Sequence, residues 1–132
     1  VLIVNLEGRV FMKSLECPFK TMDALLSKFD GKLILVDFHA EATSEKIALG
    51  WYLDGRVTAV VGTHTHVQTS DEGLLPNGTA YITDLGMTGP LDSVIGMKRE
   101  VVLRRFLTQM PTKFEVASGR AVISGAVVNM NP

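Results

Sequence analysis

Two apolar runs that each lead into a histidine constrain this chain more than any other feature of its sequence. Leu33-Ile34-Leu35-Val36-Asp37-Phe38 precedes His39, and Val57 to Val61 leads through Gly62 and Thr63 to His64. Short continuous apolar runs rich in branched residues are the pattern of strands covered on both faces. Between them Thr43 and Ser44 are good N-cap residues for a helix carrying Ile47, Ala48, Trp51 and Tyr52, which Asp54-Gly55 ends. Strand, helix and strand fill about 30 residues, the size of a βαβ unit, so the two strands are expected to be parallel. Both histidine-bearing exits then open on one edge, where open α/β sheets bind their ligands.

The chain has three histidines, and the third, His66, follows His64 by two positions. In an extended segment such a pair projects to one side. Neutral imidazole is the commonest protein metal ligand, so His39, His64 and His66 form a candidate metal site. The plainer alternative is that each caps a carbonyl or sits half-exposed at a strand end.

Around this unit the sequence predicts a first strand from Val1 to Leu6 with a turn at Gly8, and a helix over Phe19–Asp30 built on Met22, Leu25, Leu26 and Phe29. Leu74 to Gly78 reads as a turn, and Thr79 to Thr83 as a short strand delivering Asp84. A glycine loop from Gly86 to Pro90 precedes an amphipathic helix over Ser93–Met110, whose Arg99, Arg104 and Arg105 read as a solvated face. Phe114 to Ala117 and Ala121 to Val128 read as a closing β-hairpin joined by Ser118-Gly119-Arg120. The chain opens inside an apolar run at Val1, so we expect it to be a piece of a longer protein.

At 132 residues the length suits one domain. With 13 basic and 14 acidic side chains the net charge is -1, which excludes bulk attraction to nucleic acid or anionic membrane. An anionic substrate must therefore be held locally. Cys17, the single cysteine, reads as a packing residue and fits a reducing, cytoplasmic setting, and no stretch is long and apolar enough to span a membrane.

Two-metal phosphoester hydrolysis needs two ions about 3.5 to 4 Å apart and a ligand set mixing imidazole with carboxylate or amide oxygen. Asp37 precedes His39 by two positions and Asp84 follows a strand, so each can ligate or orient a ligand from behind. Each can equally serve a turn: Asp37 as a cap, Asp84 as a brace for the glycine loop. Glu41 and Glu45 read as acids complementing a helix N-terminus. No Gly-x-Ser-x-Gly elbow, dinucleotide fingerprint or Gly-x-x-x-x-Gly-Lys run is present.

Three longer stretches make a resemblance specific: Val36-Asp37-Phe38-His39-Ala40-Glu41-Ala42-Thr43-Ser44-Glu45-Lys46, Gly62-Thr63-His64-Thr65-His66-Val67-Gln68-Thr69 and Tyr81-Ile82-Thr83-Asp84-Leu85-Gly86-Met87-Thr88-Gly89. With Gly8-Arg9-Val10-Phe11-Met12 and Asp92-Ser93-Val94-Ile95-Gly96-Met97, the sequence resembles the bacterial YmdB-like calcineurin-type metallophosphoesterases over nearly its whole length. The resemblance implies an α/β fold, a portion of the four-layer αββα metallophosphoesterase sandwich with mixed sheets. It also implies two divalent or trivalent metal ions, iron or alternatively manganese, and hydrolysis of small-molecule phosphodiesters such as 2',3'-cyclic nucleotides. By motif, His39 and His64 would hold one metal and His66 the other, with Thr65 as a spacer.

Family members begin with a half that carries an Asp ligand, a bridging acidic residue, an Asn ligand and the histidine that protonates the leaving oxygen. None of those motifs occurs in these 132 residues. The resemblance therefore makes the chain the carboxyl-terminal half of one domain, with no leaving-group acid of its own. Loss of such an acid costs about 10²- to 10⁴-fold in rate, so the chain alone is expected to be inactive or nearly so. The amino-terminal half is expected in cis or as a second chain, with a homo-oligomer possible and no membrane partner. Two alternatives stand beside this reading: a non-catalytic metal-binding or regulatory module, and a mononuclear zinc hydrolase with three histidine ligands.

Overall fold

The structure is a computed structural model that describes residues 1–130. Its elements run β1 (Leu2–Glu7), α1 (Pro18–Leu26), β2 (Ile34–His39), α2 (Thr43–Leu53), β3 (Ala59–Thr63), β4 (Gly73–Leu74), β5 (Ala80–Ile82), β6 (Gly89–Pro90), α3 (Arg99–Thr108) and β7 (Ala121–Val122). The main sheet has the order β1-β2-β3-β5-β4. Strands β1, β2, β3 and β5 are parallel, and β4 returns antiparallel beside β5. The expected βαβ unit is present as β2-α2-β3, and α1 joins β1 to β2 in the same way.

Period-two alternation decides what each strand does. Val4 and Leu6 of β1 and Ile34, Val36 and Phe38 of β2 point into the core with Met22 of α1 and Leu49 and Leu53 of α2. The intervening residues Asn5, Asp37 and His39 then fall on the opposite face, a geometric requirement of the pleat. Asn5 pairs with Asp37 in register, Glu7 with His39, and His39 with Thr63.

The two-face coverage expected for Leu33–Phe38 is only half met among the described residues. Helices cover the Ile34 face, whereas Leu35, Asp37 and His39 are half-buried and Ile3 beside them is 74% exposed. Ala126 and Val128 share with Ile3, Leu35 and Val61 a cavity of about 260 Å³ on that second face.

Three boundaries differ from the sequence reading. Helix α1 stops at Leu26, because the Ser27 hydroxyl turns back to the Ala24 carbonyl and the Lys28 amide bonds Leu25 in a tighter turn. Helix α3 begins at Arg99 rather than Ser93, since Ile95 (φ 46°) and Gly96 (φ 99°) form a turn closed by paired bonds between Val94 and Met97. The closing hairpin does not form: Glu115 and Ala117 bond to Lys98 and Gly96, and β7 pairs with β6. Both halves of the expected hairpin thus find partners in the loop before α3. Among the described residues no helix is long and apolar enough to cross a membrane.

Candidate metal centre

Parallel β1, β2 and β3 place their carboxyl ends side by side, and His39 and Thr63 are the last residues of β2 and β3. His39 Nδ1 lies 3.0 Å from Thr63 Oγ1, which donates to Asp37 Oδ1 at 2.9 Å. Asp37 Oδ2 accepts from the Asn5 amide at 2.8 Å. A carboxylate can only accept, so Thr63 spends its single proton on Asp37 and must accept from His39 Nδ1–H. The lone pair of His39 is thereby fixed on Nε2.

Directly after β3 the backbone leaves the extended region. His64 has φ 121° and His66 has φ 65°, conformations rare for residues other than glycine and held only where surrounding structure enforces them. The enforcing group is Asp84, whose Oδ2 accepts the Thr65 amide at 3.0 Å and the Lys46 ammonium at 2.6 Å, while Oδ1 accepts the Gly86 amide at 2.9 Å. Asp84 and Lys46 are both fully buried. Burial alone would raise the Asp84 carboxyl pKa, but Lys46 and the Gly86 and Thr65 amides outweigh it, leaving it below the ordinary carboxylate value.

The positive φ at His64 turns its ring to His39, with Nδ1 3.0 Å from His39 Nε2 and the two rings edge to face. Its Nε2 lies 2.8 Å from Glu41 Oε2. Both His64 nitrogens thus face lone pairs, an arrangement completed by positive charge. His66 goes elsewhere: its Nδ1 bonds the Ile95 carbonyl at 2.9 Å, which fixes its lone pair on Nε2. The extended backbone on which the expected same-side projection of His64 and His66 rests is therefore absent. Among the described residues no three His, Cys, Asp or Glu side chains converge as a complete cage.

Two features of the donor set suit a metal ion. Two imidazole nitrogens about 2.1 Å from one ion and at right angles stand about 3.0 Å apart, which matches the His39–His64 separation of 3.0 Å. Metal-binding histidines characteristically donate their other ring N–H to an oxygen acceptor, as His39 and His66 do here. The residues present therefore fit such an ion.

Asp37 and Asp84 both stand behind histidines rather than beside them, Asp37 through Thr63 and Asp84 through the Thr65 amide. The sequence carries no assigned role for Asn5, Thr63 and Lys46, and gives Glu41 and Glu45 only as complements to a helix N-terminus. Glu45 does lie in the first turn of α2, and it also accepts the Arg9 and Val10 amides. A lysine on the buried Leu49-Leu53 stripe of α2 was a legible signal for Lys46, as was the two-residue spacing of Glu41 from His39.

The family model described as "YmdB-like protein" matches residues 1–132, the whole chain. The chain belongs to the YmdB-like protein family. This YmdB-like chain is 54% identical over 131 residues to a Bacillus subtilis (strain 168) protein named 2',3'-cyclic-nucleotide 2'-phosphodiesterase, covering 98% of itself and 50% of that relative. Among solved structures, a hypothetical protein from Thermus thermophilus matches with a TM-score of 0.87 and 53% identity over 90% of this chain and 47% of that one. A Mycoplasma pneumoniae structure described as a novel phosphatase matches with a TM-score of 0.83 and 45% identity over 90% of this chain and 43% of that one. The mixed α/β fold is thus shared with a solved phosphatase. The chain spans about half the length of the curated Bacillus relative.

Proposed function

We propose that this YmdB-like chain contributes one part of a dinuclear site that hydrolyses phosphodiesters, with 2',3'-cyclic nucleotides as the substrate class. The observation that carries the reading is the His39 Nε2 to His64 Nδ1 approach of 3.0 Å at the carboxyl edge of the sheet. The name of the Bacillus relative supports the substrate class. His39 and His64 would hold one ion through Nε2 and Nδ1, and His66 the other through Nε2. Iron, alternatively manganese, would supply the positive charge that a phosphodiester transition state needs.

The chain's own residues do the positioning. Asn5 holds the Asp37 carboxylate, Asp37 holds the Thr63 hydroxyl, Thr63 holds the His39 ring, and the Lys46–Asp84 pair holds the turn bearing His64 and His66. No residue of this chain is assigned as leaving-group acid. That acid and the remaining ligands belong to the half of the family chain that this sequence does not cover, supplied in cis or by a second chain. The lone free thiol, Cys17, supports a reducing cytoplasmic setting.

The test is hydrolysis of 2',3'-cyclic AMP and bis(p-nitrophenyl) phosphate by the natural polypeptide carrying this sequence and by the 132-residue chain, each with and without a chelator. Chelator-sensitive turnover is expected from the former, and a rate at least about 10²-fold lower from the chain alone. No turnover in either after metal is restored would overturn the proposal and favour a non-catalytic metal-binding module.

A further inference from the structure

The loop after β1 meets the candidate site directly. Glu7 pairs in register with His39, and the next residue, Gly8, donates its amide to the His39 carbonyl at 2.9 Å. A Cβ at Gly8 would lie 2.6 Å from both Ala40 Cβ and Glu45 Oε2, so only glycine lets the loop press this closely on the segment bearing His39 and Glu41. The Glu45 carboxylate then accepts the Arg9 amide at 3.0 and 3.1 Å and the Val10 amide at 3.2 Å. Beyond the tip, Met12 Sδ accepts the Glu41 amide at 3.3 Å.

This clamped loop displays Phe11. Its backbone is in the left-handed region at φ 61°, and the residue is 89% exposed. A bulky residue in that conformation is strained, and an exposed phenyl ring adds an unburied apolar surface. Both make sense if the ring serves something that binds at the neighbouring histidines.

We propose that Phe11 is a base-stacking platform: it packs its ring against the nucleobase of a nucleotide whose phosphate is held at His39 and His64. This rests on the phosphodiesterase reading and deepens it. Aromatic rings stack on any base, since every base has a π-face. Phe11 therefore sets a preference for nucleotides over base-free cyclic phosphates and does not select among the bases.

Two measurements on the natural polypeptide separate this inference from the reading beneath it. Binding of adenosine 3'-monophosphate and of inorganic phosphate, followed by calorimetry, needs no turnover. Phe11→Ala is expected to weaken nucleotide binding by about 5- to 100-fold, the usual scale of base–aromatic stacking, and to leave phosphate binding unchanged, with Phe11→Trp restoring the nucleotide. Equal weakening of both ligands, or of neither, would overturn the stacking role. In parallel, 2',3'-cyclic AMP and glycerol 1,2-cyclic phosphate are compared as substrates. Phe11→Ala is expected to raise KM for the nucleotide alone, with kcat retained. Wild-type failure to turn over either substrate would sink the hydrolysis reading, while the calorimetry would still decide the role of Phe11.

Discussion

Lys46 Nζ and Asp84 Oδ2 meet at 2.6 Å with 1% and 0% of their side chains exposed, directly beneath the turn that carries His64 and His66. Removing one member of a buried pair leaves an uncompensated charge and costs about 3 to 5 kcal/mol. Lys46→Met is therefore expected to destabilise the fold by that amount in urea titrations. The exposed pair Lys98–Glu115 has nearly the same separation, 2.7 Å, but its side chains are 46% and 54% exposed. Lys98→Met is expected to cost no more than about 1 kcal/mol. Equal costs at the two sites would contradict a structural role for the buried pair.

The same pair sets an acid limit. The Asp84 carboxyl lies below its ordinary pKa in the folded chain. A depressed folded value contributes stability that is fully present above the unfolded pKa, about 3.9, and is lost as pH falls through the folded value. The stability difference between wild type and Asp84→Asn is expected to be constant above about pH 5 and to shrink below about pH 4. A difference that grows as the pH falls would reverse the sign and refute the assignment.

Gly62 sets the spacing of β3 against the segment that delivers Asp84. A Cβ there would lie 1.7 Å from the Thr83 carbonyl oxygen and 3.2 Å from Lys46 Cδ. Since the first of these is backbone, Gly62→Ala must push the two segments apart, at a cost of about 3 kcal/mol. Gly73→Ala, with nothing within 4 Å of the added carbon, is expected to change stability by less than about 0.5 kcal/mol. Thermal or urea unfolding of both variants checks the contrast.

How much of this was legible in the sequence depended on the range of the force involved. Leu33–Phe38 and Val57–Val61 announced strands by their apolar continuity, the helix between them made the strands parallel, and His39 and His64 followed from where those strands end. The relative placement of His64 and His66 was not legible, because the positive φ at both removes the extended backbone that the two-residue alternation assumes. The partners of Glu115 and Ala117 lie well back in the chain, at Lys98 and Gly96, so local turn signals misdirected both into a hairpin. Thr63 carried no signal, since its role exists only once β2 and β3 are in register.

Thr63 also offers a test of how His39 is held. Thr63→Val keeps the shape of the side chain but removes both the acceptor for His39 Nδ1 and the donor to Asp37. Loss of such an orienting partner typically lowers metal affinity by about 10- to 100-fold. Manganese titration of the natural polypeptide should show that loss, Thr63→Ser should recover the affinity, and ¹⁵N NMR should show His39 losing its preference for the Nδ1–H tautomer. Unchanged affinity and tautomer in Thr63→Val would remove Thr63 from the site.

Metal stoichiometry tests the central claim most directly. Elemental analysis of the natural polypeptide, purified without chelator, should find two ions per chain, with His39→Ala and His66→Ala each losing about one of them. A single tightly held zinc ion, or metal content unaffected by either substitution, would contradict the dinuclear reading of this histidine cluster.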